Sequence, residues 1–284
     1  MAAMRISVVI PCYNRRHTLE RALQSVFDQT SPVDEVILVD DGSTDGSSEM
    51  VRQLFAQVNV ITQPNLGVSA ARNRGIAAAR FEWIALLDSD DSWLPQKIVQ
   101  IRRAQKLQPG FVLYHSDEIW MRRGVRVNPM QKHRKSGGWI FEQCLPLCAI
   151  SPSATVIRKS TLESVGKFDE QLPACEDYDL WLRLCHRFPV HYIDQPLITK
   201  YGGHDDQLSQ QHPVMDRFRI RALHRLLTHE VLKPEFRLAA EASLLRKLDI
   251  LLKGAIKHQN QPLIEEFGAL RETWRSHGEQ ALSC

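Results

Sequence analysis

The first 120 residues alternate between short apolar runs and stretches in which apolar residues recur at helical spacing. The runs predicted as strands are 6–10, 36–39, 58–62, 83–87 and 111–120, and the predicted helices lie near 18–27, 50–55, 68–80 and 94–107. We predict that Thr18 is the N-cap of the first of these helices and that Pro95 lies in the first turn of the last. Strands that alternate with helices in this way form a parallel sheet with helices on both faces. The chain is therefore expected to begin with a doubly wound α/β domain.

Beyond residue 211 the chain shows helical periodicity only. Two leucine stripes mark this part, the first at Leu223, Leu226 and Leu227 and the second at Leu244, Leu245, Leu248, Leu251 and Leu252. A chain of 284 residues can bury one large core with an appendage but is short for two enzymatic domains. We predict an α/β domain over 1–210 and a C-terminal all-helical extension over 211–284.

Charge and cysteine content disfavour several classes of protein. The formal net charge is +3 without a dense basic stripe, which argues against a nucleic-acid partner. The stretch from Arg122 to Lys135 is basic, which is typical of a solvated loop and also of a patch that binds a polyanion or a membrane surface. The six cysteines include no CxxC pair, a strand is predicted close to the N-terminus, and no window approaches about 18 uninterrupted apolar residues. We expect reduced thiols in a cytoplasmic protein that is neither secreted nor membrane-spanning.

Acidic residues follow two of the predicted strands: Asp40 and Asp41 end the second, and Asp88, Asp90 and Asp91 follow the run over 83–87. Ligands of parallel sheets bind at the carboxyl ends of the strands, where these side chains should meet. So many carboxylates repel one another unless a cation or hydrogen-bond donors offset their charge. A hard ion such as Mg²⁺ or Mn²⁺, which prefers oxygen ligands and shares substrate phosphates, would do so. The structural alternative is that these residues cap helices or shape turns.

Two arginines follow a glycine turn at a predicted helix start. Arg72 and Arg74 come soon after Gly67, which suits a diphosphate held by backbone N–H groups and guanidinium contacts. Taken alone, they could equally be ordinary surface arginines. Their assignment as phosphate partners therefore depends on the motifs around them.

Five segments stand in a recognisable order: residues 8–15 (Val-Val-Ile-Pro-Cys-Tyr-Asn-Arg), 38–45 (Leu-Val-Asp-Asp-Gly-Ser-Thr-Asp), 65–75 (Asn-Leu-Gly-Val-Ser-Ala-Ala-Arg-Asn-Arg-Gly), 86–91 (Leu-Leu-Asp-Ser-Asp-Asp) and 175–181 (Cys-Glu-Asp-Tyr-Asp-Leu-Trp). Together they resemble glycosyltransferase family 2, whose members have the GT-A fold, a Rossmann-like α/β architecture. The resemblance extends over roughly residues 4–210 and includes nothing beyond them.

The resemblance implies a nucleotide-sugar site. It implies that the loop from Pro11 to Tyr13 contacts the nucleoside, that Asp41 accepts a hydrogen bond from the base, and that the segment 88–91 binds Mn²⁺ or Mg²⁺ on the diphosphate. An aspartate facing the N3–H of uracil or thymine favours UDP, while dTDP and GDP sugars stay open. The expected nucleotide-binding residues are Pro11, Tyr13, Asp40, Asp41, Arg72, Arg74, Asp88 and Ser89, and the expected metal ligands are Asp88, Asp90, Asp91 and His204.

The same resemblance implies a general base. Asp177 would deprotonate the acceptor hydroxyl as it attacks the anomeric carbon with inversion, and Glu176 would orient the acceptor or the base. The alternative is an acidic start to a helix, which the helix dipole favours. His204, after two glycines, is a candidate for metal or phosphate binding or for a structural histidine. Lys200 stands near a place where the family commonly has arginine.

The function implied is inverting transfer of a sugar from a nucleotide-diphosphate sugar to a hydroxyl acceptor, in bacterial cell-surface polysaccharide or glycolipid synthesis. A non-catalytic nucleotide-sugar-binding scaffold is the alternative. Trp139 and Phe141 are candidates for stacking on a sugar and, more simply, for core packing. The helical extension is a candidate for homo-oligomer contacts or for peripheral association with the inner face of a membrane.

Two other classes are disfavoured. A response-regulator-like domain would carry its acidic pair after the first strand, whereas here the pair ends the second. A nucleotidyltransferase would show a glycine-rich, lysine-containing loop after the first strand, and residues 11–15 contain neither glycine nor lysine.

Overall fold

The structure of the protein, a computed structural model, describes residues 4–128, 130–203 and 212–281. Within these ranges the strands are β1 (Ile6–Cys12), β2 (Glu35–Asp40), β3 (Asn59–Thr62), β4 (Trp83–Leu86), β5 (Ser92–Trp93), β6 (Leu113–Arg122), β7 (Val125–Val127), β8 (Val156–Arg158) and β9 (His191–Gly202). The helices are α1 (Arg16–Phe27), α2 (Ser47–Leu54), α3 (Val68–Ala78), α4 (Lys97–Leu107), α5 (Phe141–Cys144), α6 (Lys159–Ser164), α7 (Glu176–Cys185), α8 (Asp216–His229), α9 (Pro234–Lys257) and α10 (Gln261–Ala281).

The strands form one sheet in the order β3-β2-β1-β4-β8-β6-β9-β5, with β7 paired to β6 at the side of this series. β1 to β4 are mutually parallel, β8 runs in reverse between β4 and β6, and β9 runs parallel to β6. The carboxyl ends of β1, β2, β3, β4, β6 and β9 therefore lie at one edge of the sheet. The predicted α/β class with a mostly parallel sheet is confirmed.

Helices cover both faces of this sheet because successive strand side chains point to opposite sides. Val9 of β1 belongs to the core under α3 and α7, whereas its neighbours Val8 and Ile10 belong to the core under α1, α2 and α4. The helical region at the C-terminus is also confirmed, and its apolar side joins the first of these cores. No helix among the described residues is long and apolar enough to span a bilayer.

Some local predictions were wrong. α1 begins at Arg16 rather than after Thr18, because the carboxylate of Asp45, from the loop after β2, accepts the N–H of Arg16 at 2.9 Å. α4 begins at Lys97, so Pro95 precedes the helix. The sequence pattern also gave no sign of β5, β7 and β8, which are two or three residues long and too short to show a period.

Trp139 and Phe141 differ in their surroundings. Phe141 is fully buried, and its ring centroid lies 4.8 Å from that of Phe236 on α9, so it is a core residue and not a platform for a sugar. Trp139 is 52% exposed, with the Lys233 ammonium 4.7 Å from its ring centroid.

Gly75 allows α3 to lie directly on the sheet. A Cβ atom at this position would come within 2.4 Å of Val9 Cγ1 and 3.3 Å of Val39 Cγ2. Both valines sit in central strands whose backbones are fixed by their neighbours on each side. The start of α3, which carries Arg72, is therefore held at a distance from β1 that only glycine permits.

We expect Gly75→Ala to lower the free energy of unfolding by about 1–3 kcal/mol, because the added methyl overpacks the junction with β1. Urea denaturation monitored by circular dichroism measures this change. Gly254→Ala on α9 is the matched control, since a Cβ there meets no atom within 4 Å, and it should raise stability by about 0.5–1 kcal/mol. Equal stability of Gly75→Ala and the unaltered protein would contradict the close packing of α3 on the sheet.

Candidate active site

The loops after β1 and β2 are fastened to each other at the carboxyl edge of the sheet. Asn14, in a left-handed conformation (φ 51°), donates its backbone N–H to Ser43 Oγ at 2.8 Å and accepts the N–H of Thr44 at 2.8 Å on its side-chain oxygen. Tyr13 next to it is 46% exposed, whereas Pro11 is buried within β1. Of the two predicted nucleoside contacts, the structure thus presents the side chain of Tyr13 at the surface.

Asp41 organises the approach to α3. Its carboxylate accepts hydrogen bonds from Gln63 Nε2 at 2.7 Å and from the backbone N–H groups of Leu66 and Gly67, both at 2.9 Å. A carboxylate has about four acceptor positions, so three donors leave one unfilled, and because Asp41 is only 3% exposed its contact with a base N–H stays a prediction. Asp40 beside it accepts the N–H of Ser43 at 3.0 Å.

Arg72 joins two distant parts of the chain. Its guanidinium is almost completely buried and donates from Nη1 to Glu176 Oε1 at 2.6 Å and from Nη2 to Asp88 Oδ1 at 2.7 Å. Burial alone would lower the pKa of Arg72, but the charges of Asp88 and Glu176 raise it above its ordinary value. Arg72 therefore stays charged and fixes the start of α7 against the segment that follows β4.

Arg74, the second arginine predicted to bind phosphate, lies on a different face of the helix. Arg74 is exposed, and residues two positions apart on a helix do not face each other. The structure therefore does not bring the two arginines together. Arg72 binds carboxylates in this structure, and a diphosphate contact from either arginine stays a prediction.

Asp91 is buried and bonded within the protein. It is 2% exposed, and its two oxygens accept hydrogen bonds from Ser153 Oγ at 2.6 Å and from the backbone N–H of Tyr201 at 3.1 Å. Burial and the neighbouring charge of Asp90 raise the pKa of Asp91 well above its usual range. Its side chain ties the loop after β4 to β9 and to residues 152–154, and its role as a metal ligand stays a prediction.

The residues of this loop differ in exposure. Ser89 is buried like Asp91, whereas Asp88 and Asp90 are partly exposed. In the part of the chain that the structure describes, no three His, Cys, Asp or Glu side chains are arranged to hold a metal ion. His204 lies outside the described residues. A complete protein cage for a metal is therefore not formed by the residues that were predicted and described.

Two carboxylates nevertheless suit a divalent ion of a particular kind. Mg²⁺ and similar hard cations are commonly bound through one or two carboxylates and complete their coordination with substrate phosphates and water. Asp88 and Asp90 are the two partly exposed carboxylates of the loop, so they fit an ion that arrives with a diphosphate.

Asp177 lies in the first turn of α7, immediately after Glu176. Its Oδ1 accepts the backbone N–H of Tyr178 at 2.7 Å, and its Oδ2 accepts the thiol of Cys148 at 3.0 Å. Burial and then the charge of Asp177 raise the pKa of Cys148 well above its usual range, so the thiol keeps its proton and acts as a donor. Asp177 is partly exposed, whereas Glu176 is buried against Arg72.

Lys200 supplies positive charge beneath these carboxylates. Burial alone would lower the pKa of Lys200, but Glu118, Asp91 and Asp88 raise it above its ordinary value. Lys200 Nζ also donates to Ser151 Oγ at 3.3 Å. The ammonium therefore offsets part of the acidic charge at this edge of the sheet.

Sequence reasoning missed several residues of the site. Cys148, Ser151 and Ser153 lie in the irregular stretch before β8, where no periodicity assigns positions. Glu118 lies within β6, and although burial opposes it, the charges of Lys135 and Lys200 lower the pKa of Glu118 to about 2. Its contacts are long-range pairings that the sequence pattern does not encode.

Comparison with known proteins adds independent evidence. A family model described as Glycosyl transferase family 2 matches residues 7–164. A Rickettsia felis protein named as an uncharacterized glycosyltransferase is 31% identical over 202 residues, which cover 68% of this chain and 32% of that protein. The chain spans about a third of the length of the first curated relatives it matches.

Two further matches, one of them to a fragment of its protein, extend over most of the compared chain. The Escherichia coli protein WfaP, named UDP-Glc:α-D-GlcNAc-diphosphoundecaprenol β-1,3-glucosyltransferase, is 24% identical over 237 residues, covering 78% of this chain and 90% of that protein. The crystal structure of S. aureus TarS 1-349 in complex with UDP superposes with a TM-score of 0.60 at 18% identity, covering 96% of this chain and 92% of that one. At this identity the TarS likeness demonstrates a shared fold.

The contacts of Arg72 lead to a stability prediction. Arg72→Met should lower the free energy of unfolding by about 3–5 kcal/mol near neutral pH, because it leaves Glu176 buried without its cation. Arg74→Met is the matched control on the same helix and should change stability by less than about 0.5 kcal/mol. Denaturant titration of both variants measures the difference, and equal effects would contradict the buried bridge.

The stability lost in Arg72→Met should also depend on pH. Burial raises the pKa of Glu176, and Arg72 opposes that rise, so removing Arg72 raises the pKa further. A group whose pKa is higher in the folded than in the unfolded protein contributes stability that is lost as the pH rises through the folded pKa. The deficit of Arg72→Met should therefore be larger at about pH 8 than at about pH 5, and adding Glu176→Gln should reduce that slope. A pH-independent deficit would show that Glu176 is not the uncompensated group.

Proposed function

The chain belongs to glycosyl transferase family 2, and from that premise we propose that it is an inverting glycosyltransferase. It moves a sugar from a nucleotide-diphosphate sugar, with UDP favoured, to a hydroxyl acceptor. The observation that carries this proposal is the Arg72 bridge between Asp88 and Glu176. The bridge joins the loop expected to hold the donor diphosphate to Glu176, which directly precedes the proposed base in the sequence, and this supports the proposal.

Several observations support a UDP-sugar as donor. Asp41 lies at the carboxyl edge of the sheet with capacity for one more donor, and the exposed ring of Tyr13 stands on the adjoining loop. The printed name of WfaP contains UDP-Glc, and the TarS structure is a complex with UDP. Neither relative fixes which sugar this protein transfers.

A divalent cation fits the proposed donor site. Asp88 and Asp90 are the side chains that would hold Mn²⁺ or Mg²⁺, and the ion would offset the charge of the departing nucleoside diphosphate. Arg72 keeps Asp88 in place, since its guanidinium is itself fixed by Glu176. Asp91 supports the loop from inside.

Asp177 is the proposed general base. As the acceptor oxygen attacks the anomeric carbon, Asp177 takes the hydroxyl proton, and the bond from that carbon to the diphosphate oxygen breaks with inversion. The Cys148 thiol and the Tyr178 N–H hold the carboxylate in one orientation while leaving acceptor positions for that proton. Glu176 remains bound to Arg72 and positions Asp177 through the chain rather than by contact with the acceptor.

The biological setting follows from the names of relatives. WfaP acts on a diphosphoundecaprenol-linked sugar by its name, and a Bacillus subtilis relative is named a putative teichuronic acid biosynthesis glycosyltransferase. We propose a role in bacterial cell-surface polysaccharide or glycolipid synthesis. A scaffold that binds donors without turnover is the competing function, and the partly exposed Asp177 favours the enzyme.

Asp177→Asn should lower turnover of sugar transfer or donor hydrolysis by about 10²–10⁴-fold while leaving UDP affinity unchanged, because the amide cannot accept the proton. Product release from a UDP-sugar measures turnover, and calorimetric titration measures UDP affinity. Asp194→Asn, at an exposed carboxylate on β9, is the control and should behave as the unaltered protein. Unchanged turnover in Asp177→Asn would exclude Asp177 as the base.

Mn²⁺ should raise the affinity for UDP, and Asp90→Asn should reduce that gain by about tenfold because one carboxylate ligand is lost. Calorimetric titration of UDP with and without Mn²⁺ tests both statements. Asp28→Asn removes an exposed carboxylate that directly follows the last residue of α1 and should leave the gain intact. The same UDP affinity with and without Mn²⁺ would contradict the metal assignment.

A further inference from the structure

A run of positive charge borders the proposed acceptor side of the site. Between Glu118 and Glu142 the sequence contains no acidic residue. Five cations in this interval are exposed, and we call them the basic segment: Arg122, Arg123, Arg126, Lys132 and Arg134. Such segregation of one sign of charge raises the local concentration of anions.

The basic segment lies at the active edge of the sheet because β6 ends there. Register through β8 places Tyr114 of β6 level with Ala85 of β4. β4 ends at Leu86, whereas β6 continues to Arg122, which is about 26 Å beyond Tyr114 along the strand. The turn into β7 therefore extends well beyond the end of β4, where the loop that holds Asp88 begins.

The chain then returns toward the proposed base. The His133 ring centroid lies 5.0 Å from that of Trp120, and Lys135 Nζ lies 3.2 Å from Glu118 Oε1. Lys135 Nζ also donates to the carbonyl of Ala149 at 3.0 Å, next to Cys148, whose thiol contacts Asp177. The backbone that carries the basic segment is thus anchored beside the residue that would activate the acceptor.

Within the described ranges, the cations of the basic segment differ from the other cations of the site in their ion pairs. Lys135 pairs with Glu118, and Lys200 lies among Glu118, Asp91 and Asp88. Among the residues that the structure describes, no carboxylate forms an ion pair with a member of the basic segment. No described carboxylate therefore offsets their charge, and all five side chains are exposed.

We propose that the basic segment binds phosphate groups of the acceptor, which is thus a phosphate-bearing glycan rather than a neutral sugar. Arginine is well suited to this task because its planar guanidinium donates two parallel hydrogen bonds to phosphate oxygens. The inference rests on the proposed function, since it takes Asp177 as the acceptor side of the site. The phosphate is bound along the acceptor chain, away from the hydroxyl that receives the sugar.

The test compares two triple variants that remove the same charge. Arg122→Gln/Arg123→Gln/Arg126→Gln changes the basic segment, and Arg52→Gln/Arg103→Gln/Lys106→Gln changes exposed cations on α2 and α4. Each protein is titrated with a glycerol phosphate oligomer, with an uncharged glucose oligomer and with UDP. The first variant should bind the glycerol phosphate oligomer at least about tenfold more weakly, with UDP affinity unchanged, and the second should match the unaltered protein.

Other outcomes overturn the inference in distinguishable ways. Equal affinity of both variants for the phosphate oligomer, or equal affinity of the unaltered protein for the charged and uncharged oligomers, would overturn it. Loss of binding to phosphatidylglycerol vesicles without loss of oligomer binding would assign the basic segment to a membrane surface instead. Absence of UDP binding in the unaltered protein would refute the proposed function itself.

Discussion

The buried guanidinium of Arg72 is the contact on which the candidate site depends. It joins Asp88, at the end of a central strand, to Glu176, at the start of a helix that lies 104 positions from Arg72 in the sequence. A buried cation with two carboxylates is worth little as net stability, because desolvation offsets the attraction, but losing one member is costly. The bridge therefore fixes the start of α7 relative to the loop after β4 more than it stabilises the fold. Gly75 contributes to that arrangement, since it allows the helix that bears Arg72 to approach the sheet.

The carboxylates at the edge of the sheet do not require a metal simply to coexist. Asp41 receives three donors, Asp91 receives two, and Asp88 is paired with Arg72, while Lys200 adds a further positive charge nearby. Most of the repulsion that the sequence suggested is thus offset by the protein. The proposed cation would then offset the charge that a diphosphate brings, which agrees with the two partly exposed carboxylates, Asp88 and Asp90, in the loop after β4. The proposed metal would therefore serve substrate binding rather than folding.

The sequence predicted the alternating strands and helices, the carboxyl-edge location of the acidic residues and the family, because each leaves a local pattern in the chain. It could not predict that Asp91 is internal, since its partners Ser153 and Tyr201 lie 62 and 110 positions away. Nor could spacing distinguish Arg72 from Arg74, because exposure depends on which face of the helix the sheet covers. Strands β5, β7 and β8 escaped prediction for a related reason, namely that their pairing is decided by neighbours rather than by their own few residues. The 12-residue strand β9 escaped prediction as well. Burial and partner choice are tertiary properties.

The C-terminal helices fix the surroundings of the proposed base. Lys247 Nζ of α9 donates to the carbonyl of Pro146 at 2.9 Å, and Ser243 Oγ donates to that of Leu145 at 3.3 Å. From the opposite side, the Tyr178 hydroxyl of α7 donates to the same Leu145 carbonyl at 2.7 Å. The loop that carries Cys148 is thereby clamped between two helices, and its thiol holds Asp177 Oδ2. The core of the helical extension is continuous with that of the α/β domain. Because a base must be oriented as well as ionised, the extension supports the proposed base through this loop.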